Sequence, residues 1–207
     1  MEDLDQLQTE IIQDKNPALA YFFSTEFSYK PHLMQQIVLE AKNPKYCFLF
    51  AQNIKNCDIK ALQKIVVESN NTKYICKFAC FVLEAEIKPL EQIILTSKNV
   101  RYAHMLLKHV KGTNILDIKN IILTSEKPRY LFELAKHTKD PKDLAQIEDL
   151  IIKANSFTYM RLMAEKIKGA NIDKLEQAIL DTHNIPEIKK FARYVKRSKM
   201  KNFLIVL

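Results

Sequence analysis

Four basic residues stand at a fixed interval, each directly before a tyrosine: Lys45-Tyr46, Lys73-Tyr74, Arg101-Tyr102 and Arg129-Tyr130. A line of cations could follow a phosphate backbone or an acidic peptide, and tyrosine rings at the same spacing could stack bases. A second basic group, Lys190, Arg193 and Arg197, lies in a stretch over 189–201 that holds no acidic residue. If that stretch is a helix with Phe191, Ala192 and Val195 inward, its other face could meet nucleic acid or an anionic membrane. Cys76 and Cys80 are one helical turn apart, and His104 takes the Cys76 place in the next unit. Structural zinc needs four ligands in a tetrahedron, and no fourth of the right kind is in view, so no metal and no cofactor are expected. No glycine-rich phosphate loop, facing carboxylate pair or Ser/His/Asp set occurs, so the chain is expected not to be an enzyme.

What must position these residues is a repeat. Segment 60–87 aligns with 88–115, with 116–143 and with 32–59, at a period of 28 residues. An insertion near Asp143–Ala145 shifts the later units, 145–172 and 173–200, by one place, and 4–31 forms a degenerate first unit. Several columns hold phase. The tyrosine recurs at Tyr46, Tyr74, Tyr102, Tyr130 and Tyr159, and is followed four residues on by Phe50, Phe78, Leu106, Leu134, Met163 and Phe191. A small or apolar column comes next, at Ala51, Ala79, Leu107, Ala135, Ala164 and Ala192. Nine residues before the tyrosine stand Ile37, Ile65, Ile93, Ile121, Leu150 and Ala178.

Each unit reads as two short helices. Leu62, Ile65, Val66 and Ser69 share one helical face, and Tyr74, Phe78, Ala79 and Val82 share another. Between them lies a breaker such as Asn43-Pro44, Asn70-Asn71-Thr72, Asn99 or Lys127-Pro128, where side-chain oxygens can cap the second helix and proline suits its first turn. The only glycines, Gly112 and Gly169, share one column just past the second helix, where a left-handed cap belongs. Asn56 and Asp140 occupy that column and tolerate the conformation, whereas Glu84 and Arg197 fit it less well. A hairpin of two such helices cannot bury its apolar face alone, and stacking does it. The expectation is an all-α, right-handed α-solenoid of about seven hairpins forming one domain over 1–207. The apolar run Phe203-Leu204-Ile205-Val206-Leu207 is expected to fold back on the last helix pair, and otherwise to mark an oligomer contact.

The αα-hairpin array resembles the α-solenoid superfamily, whose common members are tetratricopeptide and HEAT repeats, although the unit is shorter than either and the chain has no Trp. Stretches such as Val110–Ile115 and Ile167–Ile172 are similar to short repeats of large DNA viruses. The resemblance implies a macromolecular partner and supplies no catalytic residues. HEAT-like folds include glycosylases of alkylated bases, but the Trp and the placed acid those enzymes use are missing here.

Composition sets the outer limits. Of 207 residues, 47% are apolar and 27% charged, too hydrophobic for disorder at a net charge of +8. Two glycines disfavour strand-rich folds with many turns. The charge is uneven: Glu2, Asp3, Asp5, Glu10 and Asp14 occupy the first fourteen residues without a base. Four cysteines without a framework spacing, an acidic N-terminal segment and no long apolar run point to an intracellular, cytoplasmic protein with no membrane span. The leading functional expectation is a scaffold for a protein partner; the alternative is a nucleic-acid-binding array that uses the basic stripe.

Overall fold

The computed structural model describes residues 2–200, with Glu2 in its backbone alone. Among these residues the chain forms fourteen α-helices and no strand. The chain divides into two compact units, one ending at Thr113 and the other starting at Asn114. The first holds α1 (Glu2–Asp14), α2 (Pro17–Phe27), α3 (Pro31–Glu40), α4 (Pro44–Asn53), α5 (Ile59–Glu68), α6 (Thr72–Phe81), α7 (Ile87–Thr96) and α8 (Val100–His109). The second holds α9 (Ile115–Ser125), α10 (Pro128–Ala135), α11 (Pro141–Lys153), α12 (Phe157–Lys166), α13 (Ile172–Leu180) and α14 (Ile185–Tyr194). In each unit an even-numbered helix packs on its sequence neighbours and on the next even-numbered helix: α4 on α2, α5 and α6, and α12 on α10, α11, α13 and α14. Within each unit the even helices pack on one another more extensively than the odd ones do.

The core follows the columns with two shifts. Phe50, Phe78, Leu106, Leu134, Met163 and Phe191 are all buried, as are Ala51, Ala79, Ala135, Ala164 and Ala192. On the first helices, however, Ile65, Ile93, Ile121, Leu150 and Ala178 are only half-buried. The fully buried column is the next residue on, Val38, Val66, Ile94, Ile122, Ile151 and Ile179. The tyrosines shift the same way: Tyr46, Tyr74, Tyr102, Tyr130 and Tyr159 lie at the margin of the core, half-buried.

The turns explain the helix lengths. Positive φ recurs at Lys15, Lys42, Asn70, Lys98, Glu126, Asn155 and His183, inside each α1–α2, α3–α4, α5–α6, α7–α8, α9–α10, α11–α12 and α13–α14 connection. The next residue is the N-cap of the following helix, where Asn16, Asn43, Asn99 and Asn184 accept backbone N–H groups of the first turn. Asn71 and Ser156 occupy the cap position without a side-chain cap bond, and in the α5–α6 turn Ser69 Oγ accepts the Asn71 N–H instead. At the other end of α4, α6, α8 and α12 the cap residue is extended rather than left-handed: Ile54, Val82, Val110 and Ile167 have φ between −113° and −95°. Val82 thus lies outside α6 yet is buried. The left-handed residues Asn56, Gly112 and Gly169 come two positions later, at φ 58°, 77° and 93°. Asp140 departs from that column. It has φ −74° and caps α11 by accepting the Lys142 N–H at 2.9 Å, because the insertion here is absorbed by extending α11 to 13 residues while α10 stops at 8.

A polar column runs through the odd helices. Gln35 is buried and clasps the main chain of Asp58, the N-cap of α5: its Nε2 donates to the carbonyl at 3.1 Å and its Oε1 accepts the N–H at 2.9 Å. Gln63 repeats this on Glu86, the N-cap of α7, at 3.0 and 2.9 Å. In the second unit Glu148 accepts the N–H of Asn171, the N-cap of α13, at 2.8 Å, and Glu176 accepts that of Lys199 at 3.1 Å. Each clasp reaches 23 residues ahead and ties one hairpin to the next. Gln8 takes the corresponding place on α1, but the N-cap ahead of it, Lys30, is left-handed, where Asp58 and Glu86 are extended. Among the described residues Gln8 Nε2 is buried without a partner.

Candidate binding surface

The four stripe residues fall in the first turns of even helices: Lys45 on α4, Lys73 on α6, Arg101 on α8 and, in the second unit, Arg129 on α10. All four are exposed. A cation in a first turn opposes the helix dipole, so local helix energetics do not favour it there. What holds three of them is the adjacent ring. Lys45 Nζ sits 4.9 Å from the Tyr46 ring centroid, Lys73 Nζ 5.4 Å from that of Tyr74, and the Arg129 guanidinium 5.9 Å from that of Tyr130.

The rings also contact along the layer. Tyr21 and Tyr46 are 6.5 Å apart, as are Phe48 and Tyr74, and in the second unit Phe132 and Tyr159 are 5.9 Å apart. Lys77 bridges this seam, with Nζ 5.5 Å from Phe48 and 5.7 Å from Tyr74. Tyr46, Tyr74 and Tyr130 each hold a cation beside the ring, and Tyr46 and Tyr74 a tilted neighbouring ring as well, which leaves less of each ring open to a stacked base.

Charge is sorted between helices in the first unit. The helices α4, α6 and α8 carry Lys45, Lys73, Lys77, Arg101 and Lys108 and not one Asp or Glu. Lys77 and Lys108 were not singled out by the repeat columns; the acid-free composition of three successive second helices is the signal that finds them. In the second unit the even helices mix signs and pair them locally: Glu133 with Lys136, the residue that caps α10, at 2.7 Å, Arg161 with Glu165 at 3.0 Å and Lys190 with Glu187 at 2.7 Å. Arg129 is thus separated by composition from the acid-free group.

The C-terminal candidates are not one helical face. Lys190 and Arg193 lie on α14, but the helix ends at Tyr194, and Arg197 stands exposed in the turn beyond it. Phe191, Ala192 and Val195 are buried as expected. The run is interrupted by Lys199, whose N–H is held by Glu176 and whose ammonium meets Asp173 at 2.9 Å. The apolar run 203–207 lies outside the described residues.

The cysteines are free thiols. Cys76 and Cys80 bring their sulfurs to 4.0 Å. The hydrogen bond to Cys80, together with burial, holds the Cys76 thiol far above its ordinary range, and burial alone pushes Cys47 up to about 12. Neither is a poised nucleophile at neutral pH. Among the described residues no three His, Cys, Asp or Glu side chains cluster as a metal site, and no helix is long and apolar enough to cross a membrane. No family model, curated protein or solved structure matches the chain.

Proposed function

We propose that the chain is a right-handed α-solenoid of about seven helical hairpins that acts inside the cell as a non-enzymatic scaffold, holding an acidic segment of a protein partner on the α4–α6–α8 layer. Support for the solenoid comes from the recurring left-handed turn residue, the recurring N-caps and, within each unit, the clasps from α3 to the α5 cap, α5 to the α7 cap and α11 to the α13 cap. The observation that carries the function is the acid-free layer with five basic side chains. Packed helices repeat at roughly 10 Å and an extended chain advances roughly 3.3–3.6 Å per residue, so one carboxylate in every three residues would meet each helix in turn.

A second reading, a nucleic-acid strand gripped by its phosphates, is favoured by the same exposed cations, although the occupied tyrosine faces speak against base stacking. Fluorescence anisotropy separates the two. The probes are a nine-residue peptide with Asp at every third position, single-stranded DNA, single-stranded RNA and duplex DNA, each at two salt concentrations. The scaffold reading expects peptide binding that falls roughly tenfold or more when Lys73 and Arg101 become Glu. Tighter binding of a nucleic acid, with a steep log-linear loss in salt, hands the site to the second reading. If no probe binds at low salt, the layer is not a ligand site for polyanions.

A further inference from the structure

Three sulfur atoms meet where α6 packs on α8. Cys76 and Cys80 stand one turn apart on α6, and Met105 comes from α8. Cys76 Sγ lies 4.0 Å from Cys80 Sγ and 4.0 Å from Met105 Sδ, with the Tyr102 carbonyl at 3.8 Å. Cys76 is fully buried, whereas Cys80 and Met105 are half-buried, so the group is reached from their side. The repeat does not ask for sulfur here. The column of Cys76 holds Phe48 and Phe132 in the flanking units, that of Cys80 holds Lys108 and Lys136, and that of Met105 holds Lys77 and Glu133. Three departures from three columns thus converge on one place.

The spacing selects a kind of ion. Two bonds of about 2.3 Å, the length thiolates make to a closed-shell metal ion, span 4.0 Å at an angle of about 120°, against about 109° in a tetrahedron. Both separations from Cys76 therefore suit a three-coordinate, trigonal ion. Two thiols and a thioether are soft donors, which favour Cu(I) over hard cations, and structural zinc would need a fourth ligand. The charge also fits. Two thiolates around Cu(I) leave one negative charge, and the two helices that supply the donors carry Lys73, Lys77 and Arg101 with no Asp or Glu. The Cys80 hydrogen bond and burial oppose ionisation of Cys76, and the Arg101 guanidinium favours it.

We propose that Cys76, Cys80 and Met105 bind one Cu(I) ion through two thiolates and a thioether. Both thiol protons pass to solvent on binding, no electron is transferred, and the weak contact of the Cys76 S–H with the Tyr102 carbonyl is given up. The unbranched Met105 side chain, with its several rotatable bonds, adjusts to close the third side. The expectation of no metal is framed for zinc and does not bear on a three-coordinate ion. The site does not depend on what the α4–α6–α8 layer binds.

The test titrates the full chain, reduced and under argon, with Cu(I) supplied as its acetonitrile complex, in competition with bicinchoninate. The wild type should retain one Cu(I) per chain, and X-ray absorption at the copper edge should show three sulfur neighbours. Cys80→Ser should surrender the ion to the competitor. Met105→Leu keeps the size of the side chain and removes its donor, so retention should weaken roughly tenfold or more and the sulfur count should fall to two. Cys57→Ser changes a free thiol outside the group and should bind as the wild type does. Cys57, Cys80 and Met105 are all half-buried, and far-UV circular dichroism confirms that each variant is folded. A wild type that yields its copper to bicinchoninate, a Cys80→Ser protein that keeps it, a Met105→Leu protein of undiminished affinity, or a Cys57→Ser protein that loses the ion overturns the proposal.

Discussion

Replacing Glu148 by glutamine should stabilise the protein at neutral pH, although the wild-type carboxylate makes a short hydrogen bond. Glu148 is 2% exposed and accepts the Asn171 N–H at 2.8 Å. Burial raises its pKa above the usual 4.5, against the opposing pull of that N–H and of Lys174. A carboxyl whose folded pKa is raised holds its proton more tightly folded than unfolded. Its contribution is therefore complete below the ordinary carboxylate range and is lost as pH rises through the folded value. Glutamine removes that loss. Gln35 and Gln63 show what it adds, since each holds both the N–H and the C=O of the next N-cap within 3.1 Å. Glu148→Gln keeps the acceptor and gains a donor to the Asn171 carbonyl. One net hydrogen bond stabilises by about 0.5–1.5 kcal/mol, and the exchange of a charge-assisted bond for a neutral one offsets part of the relief from desolvation. The net expectation is about 1 kcal/mol at pH 7, or roughly 2–4 °C in Tm. Urea unfolding followed by circular dichroism at several pH values reads it directly. The gap between variant and wild type should widen from about pH 4 to pH 7. The reverse change, Gln63→Glu, should destabilise more at the upper pH than at the lower. A Glu148→Gln protein that is less stable at pH 7, or a gap that ignores pH, would refute the argument that burial outweighs the bond.

Other perturbations probe other parts of the same scheme. Gln8→Leu should raise stability by about 1 kcal/mol or more in thermal unfolding, because it removes a buried amide donor with no partner. Phe78→Ala and Leu106→Ala, both fully buried, should each cost about 2–5 kcal/mol in urea unfolding, and a cost below about half a kcal/mol at both would sink their assignment to the core. Val66→Ala should cost more than Ile65→Ala despite the smaller side chain removed, since Val66 is fully buried and Ile65 is not. Native protein treated with iodoacetamide at mildly alkaline pH should leave Cys47 unmodified by mass spectrometry, because burial pushes its thiol up to about 12.

The helices and most of the core were legible because the repeat averages out noise: six units in phase identify an inward column more surely than any single helix does. The phase error of one residue on the first helices has a physical origin. A column of isoleucine reads as core, but the residue after it, also branched and apolar, points more squarely inward. Only the polar neighbours of both, Gln35, Gln63, Glu148 and Glu176, show which way the face turns. The apolar columns do not include them because Gln and Glu are polar, and their partners lie 23 residues away on main-chain atoms that no side-chain pattern reveals. The turns were half legible. Gly112 and Gly169 do mark left-handed positions, whereas Lys15, Lys42, Lys98 and Glu126 adopt the same conformation with nothing in their chemistry to announce it. The stripe was legible as spacing. Its grouping was not, because the distinction between the first-unit cations and the later ones rests on which acids share their helices.

That sorting of charge bears on why the basic residues sit where they do. On α10, α12 and α14 a carboxylate three or four residues away answers one cation of each group, an arrangement worth little but enough to lower the local charge. On α4, α6 and α8 no such carboxylate exists: Lys45, Lys73 and Arg101 stand in first turns against the dipole, and aromatic rings lie beneath Lys45, Lys73 and Lys77. Mutual repulsion along such a layer destabilises the fold slightly and contributes nothing to packing. The acids of the first unit lie instead on the odd helices, at Glu40, Glu68 and Glu91 and along α1, on α2 at Glu26, and in the turns at Asp58, Glu84 and Glu86. A surface that only needed solubility could have interspersed the signs, as the second unit does. The segregation is what a surface needs if its counter-charge arrives from outside the chain.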